Sequence, residues 1–287
     1  MCGFSVDFIM EKLRIFIRAN ATALIVSGAF SLSYIANAQG RPAKTGWEVS
    51  IGGGALVSPS YPGDDSYQLS ALPYIGITYS EDVEFTVQNG LRYTALKSEN
   101  FEFGPVAKIA FGRDEDGNGP FRVAGNASTD LIGLGDIDTT IEIGGFAKAS
   151  FGDWSLTADL GQAISGHDGL VGSAALNYNH KTRLSSRWLL LNFGPQINFG
   201  DADYQNAFFG ITAAQSTASG LAKYKAGGGI VSYGLSANAV FFAGEDITLT
   251  ALAGYDRLQN DAANSPLVTQ RGSKDQARFG VFLAKTF

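Results

Sequence analysis

His167 and His180 are the only histidines in the chain. A serine hydrolase would need one of them beside a hydroxyl nucleophile and an orienting carboxylate. Ser165, Ser173 and Asp168 lie near the histidines in the sequence, but no G-x-S-x-G motif accompanies them. The segment Ser-Gly-His-Asp-Gly around His167 has the composition of a turn. The sequence therefore predicts no catalytic residue.

An acidic segment, residues 114–119, resembles a calcium-binding loop. Its carboxylates precede glycine, and oxygen ligands in such a pattern can surround a hard cation. However, Gly125 occupies the twelfth position, where a bidentate glutamate is expected. We interpret the segment as a solvated turn. The sequence therefore predicts no metal site.

Asp64 and Asp65 could suggest the paired acids of a glycoside hydrolase. Side chains of adjacent residues in an extended segment point in opposite directions, and Pro62-Gly63 indicates a loop tip. The glycine triplets at 52–54 and 227–229 lack the Gly-Lys-Ser/Thr ending of a phosphate-binding loop. The sequence therefore predicts no cofactor.

The first 38 residues have the organisation of a secretory signal peptide. A positive segment precedes an apolar run at 21–35 and a small-x-small cleavage site at Ala36-Asn37-Ala38. A single membrane anchor is the alternative, but the apolar run is short and ends in a good cleavage site. We therefore predict that residues 1–38 are removed and that residues 39–287 form one domain. The positive residues are Lys12, Arg14 and Arg18.

Composition excludes several classes of protein. Cys2 is the only cysteine, so the mature chain has no disulfide, thiol nucleophile or cysteine metal site. Removing three of the 21 basic and two of the 27 acidic residues with the signal peptide leaves 18 and 25, a net charge of −7. An acidic chain without a basic stripe is not a nucleic-acid binder.

Apolar and polar residues alternate through the mature chain, which is typical of strands with one apolar face. In the segment 83–93, for example, Val83 and Phe85 share one face with Leu91 and Tyr93. Many such segments run about 9 to 12 residues, the length that crosses a bilayer at a tilt. Aromatic residues near strand ends indicate the interfacial girdles of a membrane barrel. These are Trp47, Tyr79, Tyr93, Phe101, Phe111, Trp154 and Tyr255.

These patterns predict an all-β fold, one antiparallel transmembrane β-barrel of about twelve strands, with ten as the alternative. An even count places both chain termini in the periplasm, together with the short links 80–82, 165–168 and 244–246. The long link 258–275 then lies outside. The scheme is strained at 113–138, which is long for a periplasmic turn. The predicted strands are 46–57, 69–79, 83–93, 101–112, 139–150, 154–164, 169–180, 187–199, 204–213, 229–242, 246–257 and 276–287.

The last strand has a pattern of its own. Phe287 ends the chain, and Leu283, Val281 and Phe279 share its face. This arrangement resembles the assembly signal of bacterial outer-membrane proteins. Lys285 departs from that signal, because its position is usually aromatic or apolar.

Four blocks of motifs go beyond strand alternation. The first comprises Gly52-Gly53-Gly54, Pro59-Ser60-Tyr61-Pro62-Gly63-Asp64-Asp65 and Pro73. The second is Gly133-Leu134-Gly135-Asp136-Ile137-Asp138 followed by Glu142. The third comprises Phe209-Gly210-Ile211, Ser219-Gly220-Leu221, Tyr224 and Gly227-Gly228-Gly229. The fourth comprises Tyr255, Arg257-Leu258, Asp261-Ala262-Ala263, Ser265-Pro266-Leu267-Val268 and Arg271-Gly272-Ser273. Together they resemble the MipA/OmpV family of outer-membrane proteins, also called MltA-interacting proteins.

The resemblance implies a barrel surrounded by outer-membrane lipid. For the family's named member it implies a scaffold that joins a lytic murein transglycosylase to a bifunctional penicillin-binding protein. The family has no catalytic residues to transfer, and its docking surface is not tied to particular motif positions. Two alternatives stay open, a small-solute channel and a barrel hydrolase of lipid or peptide that uses a histidine.

Charged residues of both signs fall on the predicted lumen face. They either line a solute path or pair with one another and fill the interior. A barrel of eight strands has a filled interior, and one of sixteen or more has an open channel. A count of about twelve lies between them and does not decide whether the lumen is open. These residues are Glu84, Arg92, Glu102, Lys108, Glu142, Lys148, Asp159 and Asp256.

Overall fold

The computed structural model describes residues 46–117, 121–125 and 127–287. The predicted signal peptide lies outside these described residues. The strands in chain order are β1 (Trp47–Pro59), β2 (Tyr67–Tyr79), β3 (Val83–Thr86), β4 (Gly90–Tyr93), β5 (Leu96–Lys97), β6 (Phe101–Ala110), β7 (Arg122–Ala124), β8 (Thr140–Phe151), β9 (Trp154–Ala163), β10 (Leu170–Leu184), β11 (Arg187–Gly200), β12 (Gly229–Phe242), β13 (Ile247–Leu258) and β14 (Asp275–Thr286). The helices are α1 (Ala202–Phe209), α2 (Ala213–Ser219), α3 (Asn260–Asn264) and α4 (Pro266–Arg271).

Twelve of these strands form a closed antiparallel barrel. Each wall strand pairs with the next wall strand along the chain, and β1 pairs with both β2 and β14, which closes the wall. At this seam Ser50 lies opposite Thr286, and their hydroxyl oxygens are 2.8 Å apart. The short strands β5 and β7 add to β6 and β2 respectively. The predicted all-β transmembrane barrel is confirmed. Within the described ranges, no helix is long and apolar enough to span a membrane.

The wall is apolar outside and polar inside, the reverse of a soluble β-sandwich. On β9, Leu156 and Leu160 are 46% and 49% exposed, whereas Ser155 and Thr157 are buried. The same alternation runs along the last strand, where Phe279, Val281 and Leu283 are exposed and Phe282 is buried. Apolar side chains therefore face lipid on the outer surface, and most polar ones face the lumen, where Phe282 packs in an apolar cluster with Leu56 and Leu72.

Aromatic side chains belt the outer surface as predicted, with one correction. The rings of Trp47 and Tyr79 lie 4.7 Å apart on neighbouring strands, and both are exposed. Phe111 is half-buried, whereas the other predicted belt residues are exposed. It packs edge-on against Phe121, with ring centroids 6.2 Å apart.

The two ends of the barrel differ. The terminal end carries residue 46, residue 287 and the short links 80–82, 94–100, 152–153, 185–186 and 243–246. The loop end carries the links 60–66, 111–139, 164–169, 201–228 and 259–274. The prediction that residues 165–168 lie with the other short links is therefore wrong, because β9 runs toward the loop end.

Two predicted strands are wrong, although ten of the twelve predicted segments coincide with observed strands. Residues 83–93 are not one strand but the hairpin β3–β4, turning at residues 87–89. Residues 204–213 are not a strand either, since most of them belong to α1. The two errors cancel in the count of twelve. The extra strand also reverses the direction of the chain, which moves the link 111–139 to the loop end and removes its strain as a periplasmic turn.

Candidate functional site: a lid over the barrel lumen

The long links at the loop end fold into one structure, which we call the lid. It comprises residues 60–66, 127–139, 201–228 and 259–274. Two apolar clusters hold it together. The first contains Tyr204, Phe208, Phe209, Val231, Leu258, Ala262, Ala263 and Val268. The second contains Tyr61, Leu131, Leu134, Ile211, Leu221 and Leu267. Burial of each large apolar side chain contributes roughly 1.5–3 kcal/mol. The second cluster lies within the lid, whereas Val231 and Leu258 of the first belong to β12 and β13 and join the lid to the wall.

Short helices form in the lid because the sequence caps them. The side chain of Asp201 accepts the N–H of Tyr204 at the start of α1. Thr212 and Gln215 form a reciprocal capping box at the start of α2. Ser265 caps α4, and Pro266 occupies its first turn, where the missing N–H costs nothing. Such caps satisfy backbone donors that a helix of one or two turns otherwise leaves to water.

Side-chain hydrogen bonds join lid segments that are far apart in the sequence. The hydroxyl of Ser265 donates to the carbonyl of Phe209 at 2.7 Å. Tyr224 donates to the carbonyl of Asp261 at 2.9 Å. Arg271 donates to the carbonyl of Asp130 at 2.8 Å, so that three links are tied to one another.

The glycine-rich block at residues 133–138 surrounds a carboxylate. Oε2 of Glu115 accepts the N–H groups of Gly133 and Gly135, each at 3.1 Å. Both glycines have positive φ angles, +84° and +73°, which side chains with a Cβ rarely adopt. The carboxylate of Asp136 in turn accepts the N–H of Glu115 at 2.8 Å. This acidic segment therefore uses its charge to order the lid.

Asp64 is a buried carboxylic acid in the lid. Its Oδ1 accepts the N–H of Ser66 at 3.0 Å, whereas Oδ2 has no hydrogen-bond partner within the described residues. Burial raises the pKa of Asp64 to about 6, although the bond from Ser66 acts in the opposite direction. Asp65 beside it is exposed. The two carboxylates therefore do not form the paired acids of a hydrolase.

The motif residues that carry the family resemblance meet in the lid. Tyr61 of the first block, Leu134 of the second, Ile211 of the third and Leu267 of the fourth share the second apolar cluster. Phe209, Leu258 and Val268 share the first. The motif blocks, spread over the chain, thus build one packed structure.

Charged residues of the lumen pair with one another. Lys108 contacts Asp159, and the hydroxyl of Ser173 donates to the same carboxylate at 2.8 Å. Lys148 Nζ lies 3.5 Å from Glu102 Oε1. Arg278 donates to Asp256 at 2.8 Å, and Gln196 reaches the other oxygen of that carboxylate at 2.7 Å. Between the two alternatives left open by the sequence, these contacts favour pairing of the lumen charges, here between neighbouring or next-but-one strands of the wall.

His167 is buried at the loop end of the lumen. Its Nδ1 accepts the N–H of Gly169 at 3.1 Å, and its Nε2 faces Oε1 of Glu142 at 3.3 Å. An imidazole that accepts at Nδ1 leaves Nε2 to donate, here toward Glu142. The rings of Tyr204 and Phe208 pack against it at 5.1 and 5.9 Å. His167 thus connects the wall to α1 of the lid.

The structure does not bring the other candidate catalytic residues together. His180 lies on β10 near the terminal end, away from His167. The hydroxyl of Ser165 accepts the N–H of Ile141, and that of Ser173 donates to Asp159. Within the described residues no three His, Cys, Asp or Glu side chains are grouped to hold a metal. Residues 118 and 119 of the predicted acidic turn lie outside the described residues.

A cavity of about 130 Å³ lies in the lumen beneath the lid. We call it the lumen cavity. Tyr204 and Phe208 of α1 line it from the side of the lid. The wall supplies apolar side chains, charged side chains and side-chain amides. Polar atoms around it lack hydrogen-bond partners within the described residues, namely Gln88 Oε1, Asn89 Nδ2 and Arg92 Nε. Its charged and imidazole lining residues are Arg92, Lys108, Glu142, Asp159 and His167.

A closed antiparallel barrel with an apolar outer surface and a polar lumen defines an outer-membrane β-barrel protein. A family model described as MltA-interacting protein MipA matches residues 51–287. The chain belongs to this family.

Curated relatives agree with this assignment. The putative outer membrane protein YiaT of Escherichia coli K12 is 28% identical over 248 residues, 85% of this chain and 92% of that protein. Outer membrane protein OmpV of Vibrio cholerae serotype O1 is 26% identical over 262 residues, 90% of this chain and 94% of that protein. The chain is thus a protein of the bacterial outer membrane.

Solved structures with similarity to the chain include outer-membrane barrels. An outer membrane channel from Pseudomonas putida F1 aligns over 86% of this chain and 97% of its own, at 11% identity and a TM-score of 0.43. The NanC porin aligns over 83% of this chain and 98% of its own, at 9% identity and a TM-score of 0.40.

Proposed function

We propose that the protein is a non-catalytic scaffold for murein-synthesising and murein-hydrolysing enzymes at the outer membrane. One observation carries the proposal, a basic β-hairpin that projects from the terminal end of the barrel. The family description, an MltA-interacting protein, supports it. The partners would be a lytic transglycosylase and a penicillin-binding protein, as the resemblance implies.

The terminal end is the one that such partners can reach. Bacterial outer-membrane barrels place their short turns in the periplasm and their long loops outside. The lid, which contains the long links, then faces the exterior. Murein and its enzymes lie on the periplasmic side, so docking falls to the short turns and to whatever projects beyond them.

The β10–β11 hairpin projects beyond its neighbour on one side. β9 begins at Trp154, which pairs with Tyr178, and the N–H of Asn179 donates to the carbonyl of Asp153. Residues 180–184 of β10 pair only with β11. At about 3.3 Å per residue this free length is roughly 15 Å.

The hairpin carries cations around one aromatic ring. Lys181 Nζ and Arg183 Cζ lie 4.3 and 4.2 Å from the ring centroid of Trp188. Arg187 near the tip is exposed, as are Lys181 and Arg183. A tryptophan with flanking cations is the type of group that dominates protein interfaces. Because the mature chain is acidic overall, this local positive charge is suited to an acidic partner surface.

The test is crosslinking and pull-down of a loop-tagged barrel from intact envelopes. We expect a lytic transglycosylase or a penicillin-binding protein to be enriched over an unrelated barrel. The double variant Lys181→Glu/Arg183→Glu should lose this enrichment. Lys223→Glu/Lys225→Glu, the same charge change on exposed residues of the lid, should keep it. Enrichment of neither enzyme by the native barrel would refute the scaffold.

A second candidate, a small-solute channel, is favoured by the lumen cavity. A space of about 130 Å³ beside paired charges can hold a solute on its way through the barrel. The lid and the lumen ion pairs oppose free passage. Single-channel conductance of the purified barrel in a planar bilayer separates the two candidates. A channel should produce stepwise increases in current, whereas a scaffold with a closed lid should produce none.

A further inference from the structure

The barrel wall has a notch between β2 and β6. β3 pairs with β2 only as far as Gly76, and β7 pairs with β2 only at residues 69–70. Within the described residues, 72–75 therefore have β1 as their only strand partner. On the other side, β4 pairs with β6 only as far as Ala107. The tip of the β3–β4 hairpin, residues 87–89, marks the lower edge of the notch.

Pro73 lies in this notch with its nitrogen directed toward the open edge. The N–H of Ala71 donates to the carbonyl of Phe121 at 2.8 Å, on the side of β2 away from β1. Backbone groups of a strand alternate between its two edges, so residue 73 directs its nitrogen to the same side. Any other residue would place there an N–H for which the described residues offer no acceptor, and an unpaired N–H within a membrane is strongly unfavourable. Proline has no N–H, so the edge can remain open.

The hairpin tip is held against β6 at the bottom of the notch. The N–H of Asn89 donates to the hydroxyl of Thr86 at 2.9 Å. Gly90 has a φ angle of +73°, and a Cβ there would lie 2.1 Å from the carbonyl oxygen of Ala107. Only glycine permits both this turn and this close approach. The short hairpin, and with it the notch, is therefore specified by the sequence.

The lumen cavity reaches the lipid-facing surface through the notch. Pro73 and Ile109 occupy outward positions in the alternation of β2 and β6, and Ile109 is 46% exposed. Both nevertheless line the cavity, together with lumen residues such as Lys108 and Asp159. One continuous space thus has an apolar mouth in the wall and a polar interior.

The polar interior offers hydrogen-bond donors that the described residues leave unused. Asn89 is 6% exposed and lines the cavity, and its Nδ2 has no partner there. Nε of Arg92 is also without a partner, while the guanidinium lies 4.7 Å from the ring centroid of Phe146. Two unsatisfied donors that line one cavity, one of them cationic, match a carboxylate. Lys108 is already paired with Asp159.

We propose that the lumen cavity binds a small carboxylate with an apolar body, which enters through the notch from the lipid side. The carboxylate accepts from Asn89 and Arg92, and the body lies against Val87, Phe111 and Phe121. A volume of about 130 Å³ is comparable to the roughly 150 Å³ cavity that binds benzene, so it can hold one small ring. This site is independent of the basic hairpin and of the scaffold.

The test is equilibrium dialysis of radiolabelled phenylacetate against the full barrel in lipid nanodiscs, with empty nanodiscs as the blank. We expect saturable binding at one site, and binding of neutral phenylacetamide weaker by about tenfold or more. Arg92→Gln and Asn89→Ala should each raise the Kd by a similar factor. Lys148→Gln, which removes a lumen cation that does not line the cavity, should leave it unchanged.

Entry through the wall is tested with two lipid-facing variants. Ile109→Trp should slow phenylacetate release by about tenfold or abolish binding, because it fills the mouth. Ile141→Trp is the matched control, since Ile141 pairs with Ile109, is 45% exposed and does not line the cavity. Binding no greater than the blank, or equal binding of acid and amide, overturns the site. Equal rates of phenylacetate release in the two tryptophan variants would overturn entry through the notch.

Discussion

The fully buried side chain of Arg113 donates from Nη1 to the carbonyl oxygen of Phe208 at 2.8 Å. Burial lowers the pKa of Arg113 to about 10, which still leaves the group charged at neutral pH. This contact links the segment that follows β6 to α1. A buried charge that binds a helix carbonyl makes the position of α1 depend on the wall.

Replacing Arg113 should loosen the lid without opening the barrel. Arg113→Ala leaves the Phe208 carbonyl unpaired and a void beneath α1, and we expect a loss of roughly 2–5 kcal/mol in the local stability of residues 201–228. Hydrogen exchange of that segment is the measurement. Arg257→Ala removes an exposed ion pair at the same end and should leave the protection of that segment essentially unchanged. Unchanged protection in the Arg113 variant would contradict this account of the lid.

Ser265 should matter for two lid segments at once. It caps α4 by accepting the N–H of Leu267, and it donates to the carbonyl of Phe209. Ser265→Ala should therefore destabilise α4 and α1 together by about 1–3 kcal/mol, as seen in faster exchange of both. Thr217→Ala is the control, because that hydroxyl contacts only a carbonyl of its own exposed helix. Loss of protection in α4 alone would show that the long-range bond contributes nothing.

The lid should be more stable in mild acid than at neutral pH. The folded-state pKa of Asp64, about 6, is above the unfolded value of 3.8, so folding favours the protonated acid. Its contribution is fully present below about pH 3.8 and is lost as pH rises through about 6. The opening free energy of residues 60–66 should fall between pH 4 and 7 by on the order of 1–3 kcal/mol.

Asp64→Asn tests this sign, because asparagine keeps the acceptor for the Ser66 N–H and cannot ionise. Hydrogen exchange corrected for intrinsic rates should show a flatter pH profile in this variant. Asp65→Asn, a change at the exposed neighbour, should retain the native profile. A native lid that tightens toward neutral pH would contradict the assignment.

The two ends of the barrel can be distinguished by labelling, because residues 39–287 contain no cysteine. We expect Thr217→Cys and Asp168→Cys to react with an impermeant maleimide on intact cells. Ser186→Cys should react only after the outer membrane is permeabilised. Asp168→Cys decides the corrected position of the link 164–169. Its protection on intact cells would restore the periplasmic placement that the sequence favours.

Most of the barrel wall could be predicted from the sequence, because each strand must alternate between lipid and lumen. The hairpin β3–β4 escaped that rule for a geometric reason. Val83 pairs with Tyr93 and Phe85 with Leu91, so odd-numbered residues face outward on both strands. The alternation of apolar and polar residues therefore keeps the same phase on both sides of the turn, and the pattern is the same as that of a single strand. Asn89-Gly90 was the signal that could have revealed the turn.

The lid could be predicted only in part. The capping residues Asp201, Thr212 and Ser265 are visible in the sequence, but helices of five to eight residues give little periodicity. Residues 204–213 therefore looked like a weak strand. The contacts that order the lid, such as Ser265 with Phe209, join residues 56 positions apart and leave no local pattern. The family motifs include many residues of the lid, but the motifs do not indicate that these residues pack together.

The seam between β1 and β14 sets a condition on how the barrel assembles. Ser50 and Thr286 are 236 positions apart, so the pairing of β1 with β14 is the least local in the wall. A partly inserted sheet would expose two unpaired edges to hydrocarbon until this seam forms. Hairpins such as β10–β11 can form early from neighbouring residues, whereas closure has to wait for both ends of the domain. The rate-limiting step of insertion should therefore be sensitive to changes at the seam and insensitive to changes in the hairpin tips.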